Sequence, residues 1–437
     1  MNSVTAFLAR ERCIAPVGYA RWRVPPAALA IHLSIGQAYA FSVFNLPLTR
    51  LLGVTESAPG DWALTTVGWI FSLAIVCLGL SAFTFGRWLE RVGPRLAMAV
   101  AACCFGGGLL LSALGVRTHQ IALLYLGYGV LGGIGLGIGY ISPVSTLMKW
   151  FPDRPGMATG LAIMGFGGGA IIGSPLAMRL MAHYATPTSA GVAETFVAMA
   201  AIYFTVMCVG ALTVRLPGAP IPAAASTRPA AADVDVRDAV RTPTFRRLWL
   251  VLCLNVTAGI GVLGQASPMI QEMFPGRVDA ADAARFVMFL SVANMLGRFL
   301  WSSLSDRLGR PRIYATFFVL GALLYAAVPS IGRAGNLPLF VTAYAVIMSM
   351  YGGGFATIPA YLRDHFGVAQ VGAIHGRLLT AWSLAGVAGP VAVNYIRQYQ
   401  LGHGVPKTEA YSVTMYLMAA LLVVGFLTNR RVAAPRS

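Results

Sequence analysis

An arginine at position 298 stands deep in an apolar stretch, residues 284–304, with an asparagine at 294 four positions before it. In a helix, residues four apart lie on one face about one turn apart. A guanidinium offers a planar fork of N–H donors that matches a carboxylate, so Arg298 reads as the centre of an anion site, with Asn294 on the same face. Tyr351 and Phe355 are also four apart in an apolar stretch. A phenol can donate to a carboxylate while both rings pack on its carbon skeleton. Gln37 and Gln265 are further polar side chains in apolar surroundings, and His32 is a lone titratable one, read more readily as structural than as a proton carrier. Arg377 is the other charge inside an apolar stretch, 369–395, near enough to its start for the side chain to reach the surface.

Other chemistries lack their residues. No His, Cys, Asp and Glu set has metal-ligand spacing, and no Walker loop is present, so the reading expects no metal, no cofactor and no ATP. The run Gly127-Tyr128-Gly129-Val130-Leu131-Gly132 has the spacing of a dinucleotide loop, but it lies inside an apolar stretch with no strand before it. Close helix packing accounts for it better. An intramembrane enzyme, the rival from another class, needs clustered His, Asp or Ser within the apolar stretches, and no Asp or Glu falls in the interior of one. The chain is therefore read as not an enzyme.

The elements that must position these residues follow from composition. Of 437 residues 57% are hydrophobic and only 11% charged, against roughly 25% charged in soluble proteins. Too few charges remain to cover a soluble surface. Stretches long enough to cross a bilayer as helix fall near 25–49, 62–85, 96–115, 121–147, 157–181, 194–214, 247–270, 284–304, 313–332, 337–361, 369–395 and 410–428. The expected fold is an all-α membrane protein with twelve transmembrane helices. With both termini placed in the cytoplasm, 22 basic residues face inward and eight outward, which the positive-inside rule favours. The net charge of +17 then reflects insertion and contact with membrane lipids, with no call for nucleic acid.

The chain also repeats. At an offset of 216, Glu90 falls on Asp306, Arg91 on Arg307, Gly93 on Gly309, Gly137 on Gly353, Pro143 on Pro359, and Gly156, Gly160 and Gly173 on Gly372, Gly376 and Gly389. This implies two pseudo-symmetric six-helix bundles, 25–215 and 247–428, between a 1–24 cytoplasmic segment and a 429–437 tail. The Ala- and Pro-rich linker 216–246 joins them and carries a short amphipathic helix before Arg246 and Arg247. Duplicated helical bundles of this kind place substrate near the midplane.

The block Gly86-Arg87-Trp88-Leu89-Glu90-Arg91-Val92-Gly93-Pro94-Arg95 resembles the loop 2–3 signature of the major facilitator superfamily, and Ser302 to Arg310 is a weaker copy. A short basic loop of this type pairs with an acidic group and helix ends and latches one closed state. The latch set is Gly86, Glu90, Arg91, Gly93 and Arg95 with Asp306, Arg307, Gly309 and Arg310, and Arg377 as a possible gate member. Four segments resemble the oxalate/formate antiporter family, a relative of the monocarboxylate transporters: Gly36 to Phe44, Gly139-Tyr140 with Lys149 to Gly156, Ser291 to Arg298, and Tyr351 to Phe355. The resemblance implies that Arg298 binds the anion and that Tyr39, Tyr140, Tyr351, Phe355 and Trp382 line the cavity, and Gln37, in the first helix, reads as a polar contact to the substrate beside them. It also marks two departures. Trp382 stands where that family carries a second cation, a lysine, which disfavours a doubly charged substrate. Asn294 stands where proton-coupled monocarboxylate transporters carry Asp, and an amide does not titrate.

The expectation is a secondary transporter of small organic anions of the monocarboxylate type, working by alternating access and anion exchange. It is expected to be a monomer in a bacterial inner membrane. The alternatives are a proton-coupled monocarboxylate symporter and a major facilitator exporter of other small solutes.

Overall fold

The computed structural model describes residues 7–219, 221, 232–263 and 265–432. Its described residues are helical, apart from turns and two isolated bridges, Ile14 with Leu216 and Thr186 with Ser189. Eleven helices are long and apolar enough to cross a membrane, and a bent pair makes a twelfth span. They run Arg21–Leu48, Leu64–Val92, Pro94–Arg117, Ile121–Trp150, Pro155–Tyr184, Val192–Thr213, Pro243–Gly261 with Ala266–Met273, Asp282–Leu308, Arg310–Arg333, Leu337–Phe366, Val371–Gly402 and Ser412–Arg430. These twelve match the twelve apolar stretches of the sequence. The halves of the seventh span are inclined at 55°. Large apolar side chains such as Leu110, Leu300 and Leu323 stay exposed along the spans, as a lipid-facing surface requires.

Two compact units make up the chain. The first contains Met1–Asp153, Leu161–Ser226 and Val368–Ser383; the second contains Arg154–Gly160, Thr227–Gly367 and Leu384–Ser437. Each unit thus holds the opening segment of a span from the other sequence repeat.

In the first unit the second and third spans are joined by a reversal of a single residue. Gly93 closes one helix at φ 87° and ψ 167°, and Pro94 opens the next. Only glycine adopts that backbone without strain, and proline suits the first helical turn. Gly309, with φ 95°, does the same before Arg310 and Pro311 in the second unit. The glycines of the fourth span, dismissed above as a nucleotide loop, are packing contacts. A side chain on Gly129 would strike Leu73, one on Gly133 would strike Cys77, and one on Gly135 would strike the Phe105 backbone. Tyr125–Gly132 is wound wider than an α-helix.

Pro143, inside the fourth span, lacks the N–H that would continue the helix ladder. Three residues earlier, the Tyr140 carbonyl accepts from His32 Nε2 at 3.1 Å. The corresponding Pro359 has a corresponding bond in the second unit, where Thr159 Oγ1 donates to the Ala356 carbonyl at 2.6 Å.

Two elements differ from the sequence reading. The tenth helix runs about a turn further, to Phe366, and carries a buried acid, Asp364. It reaches so far because Arg310 Nε donates to Asp364 at 3.2 Å and Arg363 lies 3.6 Å from it. In the linker, 220 and 222–231 lie outside the described residues. Its helix is one turn, Val236–Ala239, capped by the Asp235 carboxylate accepting from Arg237 N at 2.8 Å.

Candidate functional site

Arg298 is fully buried. Its Nε donates to the Asn294 side-chain oxygen at 3.1 Å, so the shared helix face read from the spacing is realised as a bond. The guanidinium carbon lies 5.5 Å from the centre of the Phe355 ring, within cation–π range. Tyr351 meets Phe355 edge to face at 5.3 Å and 89°. Gly352 permits this approach, because a Cβ there would come within 3.1 Å of Arg298 Cγ and closer still to Asn294. Arg298, Asn294, Tyr351 and Phe355 therefore form one group in the second unit. In it the guanidinium is oriented by a neutral amide and a ring, which leaves its remaining N–H donors in a fixed plane.

Asn255 was not singled out in the sequence. It is buried, its Oδ1 has no hydrogen-bond partner, and a side chain on Gly354 would collide with it. It shares a small cavity with Tyr351, Gly259 and Tyr325. Gln265 instead stands at the N-cap of Ala266–Met273, just past the bend in the seventh span.

The remaining aromatic candidates meet in the first unit. Tyr140 and Trp382 are 5.5 Å apart, Tyr39 and Trp382 6.4 Å. Phe166 fills the centre, at 5.0 Å from Tyr39, 5.3 Å from Tyr140 and 5.6 Å from Trp382. Tyr140 also touches two imidazoles, His32 at 5.3 Å and His375 at 5.9 Å. A carbonyl only accepts, so the bond from His32 Nε2 to the Tyr140 carbonyl fixes that proton on Nε2, and His32 holds the backbone. His375 is fully buried, with no hydrogen-bond partner at either nitrogen among the described residues. Gln37 is separate: its Oε1 accepts from Tyr128 OH at 2.9 Å. The sequence did not indicate Phe166 or His375, although the offset of 216 pairs Phe166 with Trp382.

The signature loops supply the third group. Glu90 accepts from the Gly372 backbone N at 3.2 Å, from Lys149 at 2.6 Å and from Ser145 at 2.7 Å. In the second unit Asp306 accepts from the backbone N of Gly156 at 2.8 Å and of Met157 at 2.9 Å. Each acid thus sits on the first turn of a helix from the other repeat, where free N–H groups and the helix dipole favour an anion. Gly156 and Gly372 are themselves equivalent at the 216 offset. The basic partners differ. Arg310 donates to Asp306 at 2.7 Å and to Ser305. Arg95 is buried and donates to the Phe7 carbonyl at 2.8 Å. Arg91 and Arg307 are exposed. A side chain on Gly86 would strike the Ala373 backbone. Arg377 is half-buried, donating to the Ala373 carbonyl at 3.2 Å with its charge 4.9 Å above the Phe83 ring.

A duplicated set of twelve spans with a buried cation defines a polytopic membrane transporter. The Major Facilitator Superfamily profile matches residues 27–390 and again 279–435, and the chain belongs to that family, whose members carry small-molecule substrates. Among curated relatives it is 25% identical to the uncharacterised MFS-type transporter YhjX of Escherichia coli, over 84% of this chain and 86% of that one. It is 26% identical to the oxalate:formate antiporter of Oxalobacter formigenes, over 83% and 81%. To mouse monocarboxylate transporter 11 it is 26% identical, over 94% and 87%. Among solved structures, the Escherichia coli fucose:proton symporter superposes with a TM-score of 0.67 at 14% identity, covering 94% of this chain and 98% of that one. A human organic anion transporter superposes at 0.66 and 15%, covering 94% and 100%. At these identities the superpositions establish the fold.

Proposed function

We propose that the chain is a secondary transporter of small organic anions of the monocarboxylate type, exchanging one anion for another by alternating access. The observation that carries this reading is the fully buried Arg298 held at Nε by Asn294. With an amide rather than a carboxylate at 294, the pair holds one cation and no acid, and an anion neutralises it. A buried charge is costly in the membrane interior, so the loaded carrier reorients more readily than the empty one. That favours exchange. The similarity to an oxalate:formate antiporter and to a monocarboxylate transporter points the same way. Trp382, in place of a second cation, favours a single carboxylate with an apolar or aromatic end. The repeats 25–215 and 247–428 are the moving bodies of a monomer in the inner membrane with both termini in the cytoplasm, and the Glu90 and Asp306 contacts are latches that break in the cycle.

Uptake into proteoliposomes at clamped voltage, with and without a trans anion and an inward proton gradient, tests the reading. Strong trans-stimulation with little response to the gradient supports exchange. Accumulation driven by the gradient alone into empty vesicles establishes the proton-coupled alternative instead.

A further inference from the structure

Residues 7–24 precede the α-helix that opens at Pro25 and lie as a strap on one end of the first unit, the last four forming the entry to the first span. Ala15 N donates to the Leu216 carbonyl and Leu216 N to the Cys13 carbonyl, both at 2.8 Å, tying the strap to the end of the sixth span. Arg21 forms a two-pronged pair with Asp153 at 2.7 and 3.2 Å, tying it to the loop after the fourth. The Arg95 bond to the Phe7 carbonyl ties it to the start of the third. Its inward side chains, Cys13 and Ala15, are buried.

Its outward side is unusual for a segment ahead of the first long helix. Ile14 is 49% exposed, Trp22 57%, and Phe7 and Val17 are exposed with them. Between them Arg10, Arg12 and Arg23 are exposed, against one acid, Glu11. Large apolar groups alternating with guanidinium groups, and a tryptophan beside the first span, are the composition that partitions into a charged headgroup layer. An aqueous face gains nothing from Val17 and Ile14, and a neutral surface gains nothing from the arginines.

We propose that this strap is an interfacial anchor for anionic phospholipid: its apolar side chains enter the headgroup layer while Arg12 and Arg23 pair with lipid phosphates. Because the strap is bonded to the third span, to the loop after the fourth and to the end of the sixth, lipid charge then stabilises that end of the first unit. This inference is independent of the transported substrate.

The test is backbone amide exchange of the full-length protein in nanodiscs of phosphatidylcholine alone and of phosphatidylcholine with phosphatidylglycerol. The expected result is that amides of residues 8–24 exchange about tenfold or more slowly in the anionic discs. Arg12→Gln with Arg23→Gln, two exposed positions, removes that difference and leaves exchange within the spans unchanged. Arg21→Ala speeds strap exchange in both lipids, because it breaks an internal pair. Equal strap protection in the two lipids overturns the proposal, as does a loss of protection in both lipids on the double substitution.

Discussion

Phe166 and Trp382 occupy equivalent positions in the two repeats, 216 residues apart, and their rings meet edge to face at 5.6 Å and 75°. The aromatic cluster of the first unit thus contains both members of one equivalent pair, with Tyr39 and Tyr140 packed on Phe166.

Arg298→Ala is expected to abolish anion uptake with insertion unchanged. Losing a charge-assisted pair with an ionised partner costs roughly 2–5 kcal/mol, a fall of about 30-fold or more in uptake below the apparent KM. Arg298→Lys should restore it only partly, because an ammonium lacks the fork that bonds Asn294 through Nε while leaving two nitrogens for a carboxylate. Normal uptake by the alanine variant at low substrate concentration would show that the anion binds elsewhere.

Trp382→Lys should raise the uptake of oxalate relative to monocarboxylates. The ratio is the proper readout, since a lysine among Tyr39, Tyr140 and Phe166 lowers absolute rates through lost packing. Competition between labelled oxalate and a monocarboxylate measures it. An unchanged ratio means that position 382 is structural.

Gly93→Ala and Gly309→Ala should each destabilise the protein, because φ of 87° and 95° is strained for any side chain. The expected cost is about 1–3 kcal/mol each, read by thermal unfolding in detergent. Gly402→Ala, at a helix end where a Cβ meets nothing within 4 Å, is the control and should change little.

The loop between the first two spans should loosen in acid. Partial burial pushes the Asp61 carboxyl up, but bonds from the backbone N of Ala58, Leu52 and Gly53 outweigh it and hold the pKa below the ordinary value. A lowered folded pKa stabilises the loop above the unfolded value, near 4. That contribution is lost as pH falls through the folded value. Exchange of the Leu52, Gly53 and Ala58 amides should accelerate below about pH 4, and Asp61→Asn should remove the acid dependence. Trp62, stacked on His119 at 4.6 Å, gives an independent fluorescence signal.

The spans were legible because a membrane helix is recorded in composition and length. The Arg298–Asn294 and Tyr351–Phe355 neighbours were legible because helical spacing is local. The offset of 216 identified Glu90 and Asp306 as equivalents but not the helix ends they cap, which come from distant sequence. Gln37 illustrates the limit: in a helix apolar all round, nothing in the pattern says which face meets Tyr128. Asp364 was placed outside the tenth span for the opposite reason. Its charge reads as a helix end until Arg310, 54 residues away, is known to hold it.

The two proline turns are not interchangeable parts. The carbonyl three residues before Pro143 is held by an imidazole from the same repeat, the one three before Pro359 by a threonine hydroxyl from the opposite repeat. Equivalent carbonyls in the two repeats have thus acquired unlike donors, an imidazole from within the repeat and a hydroxyl from across it.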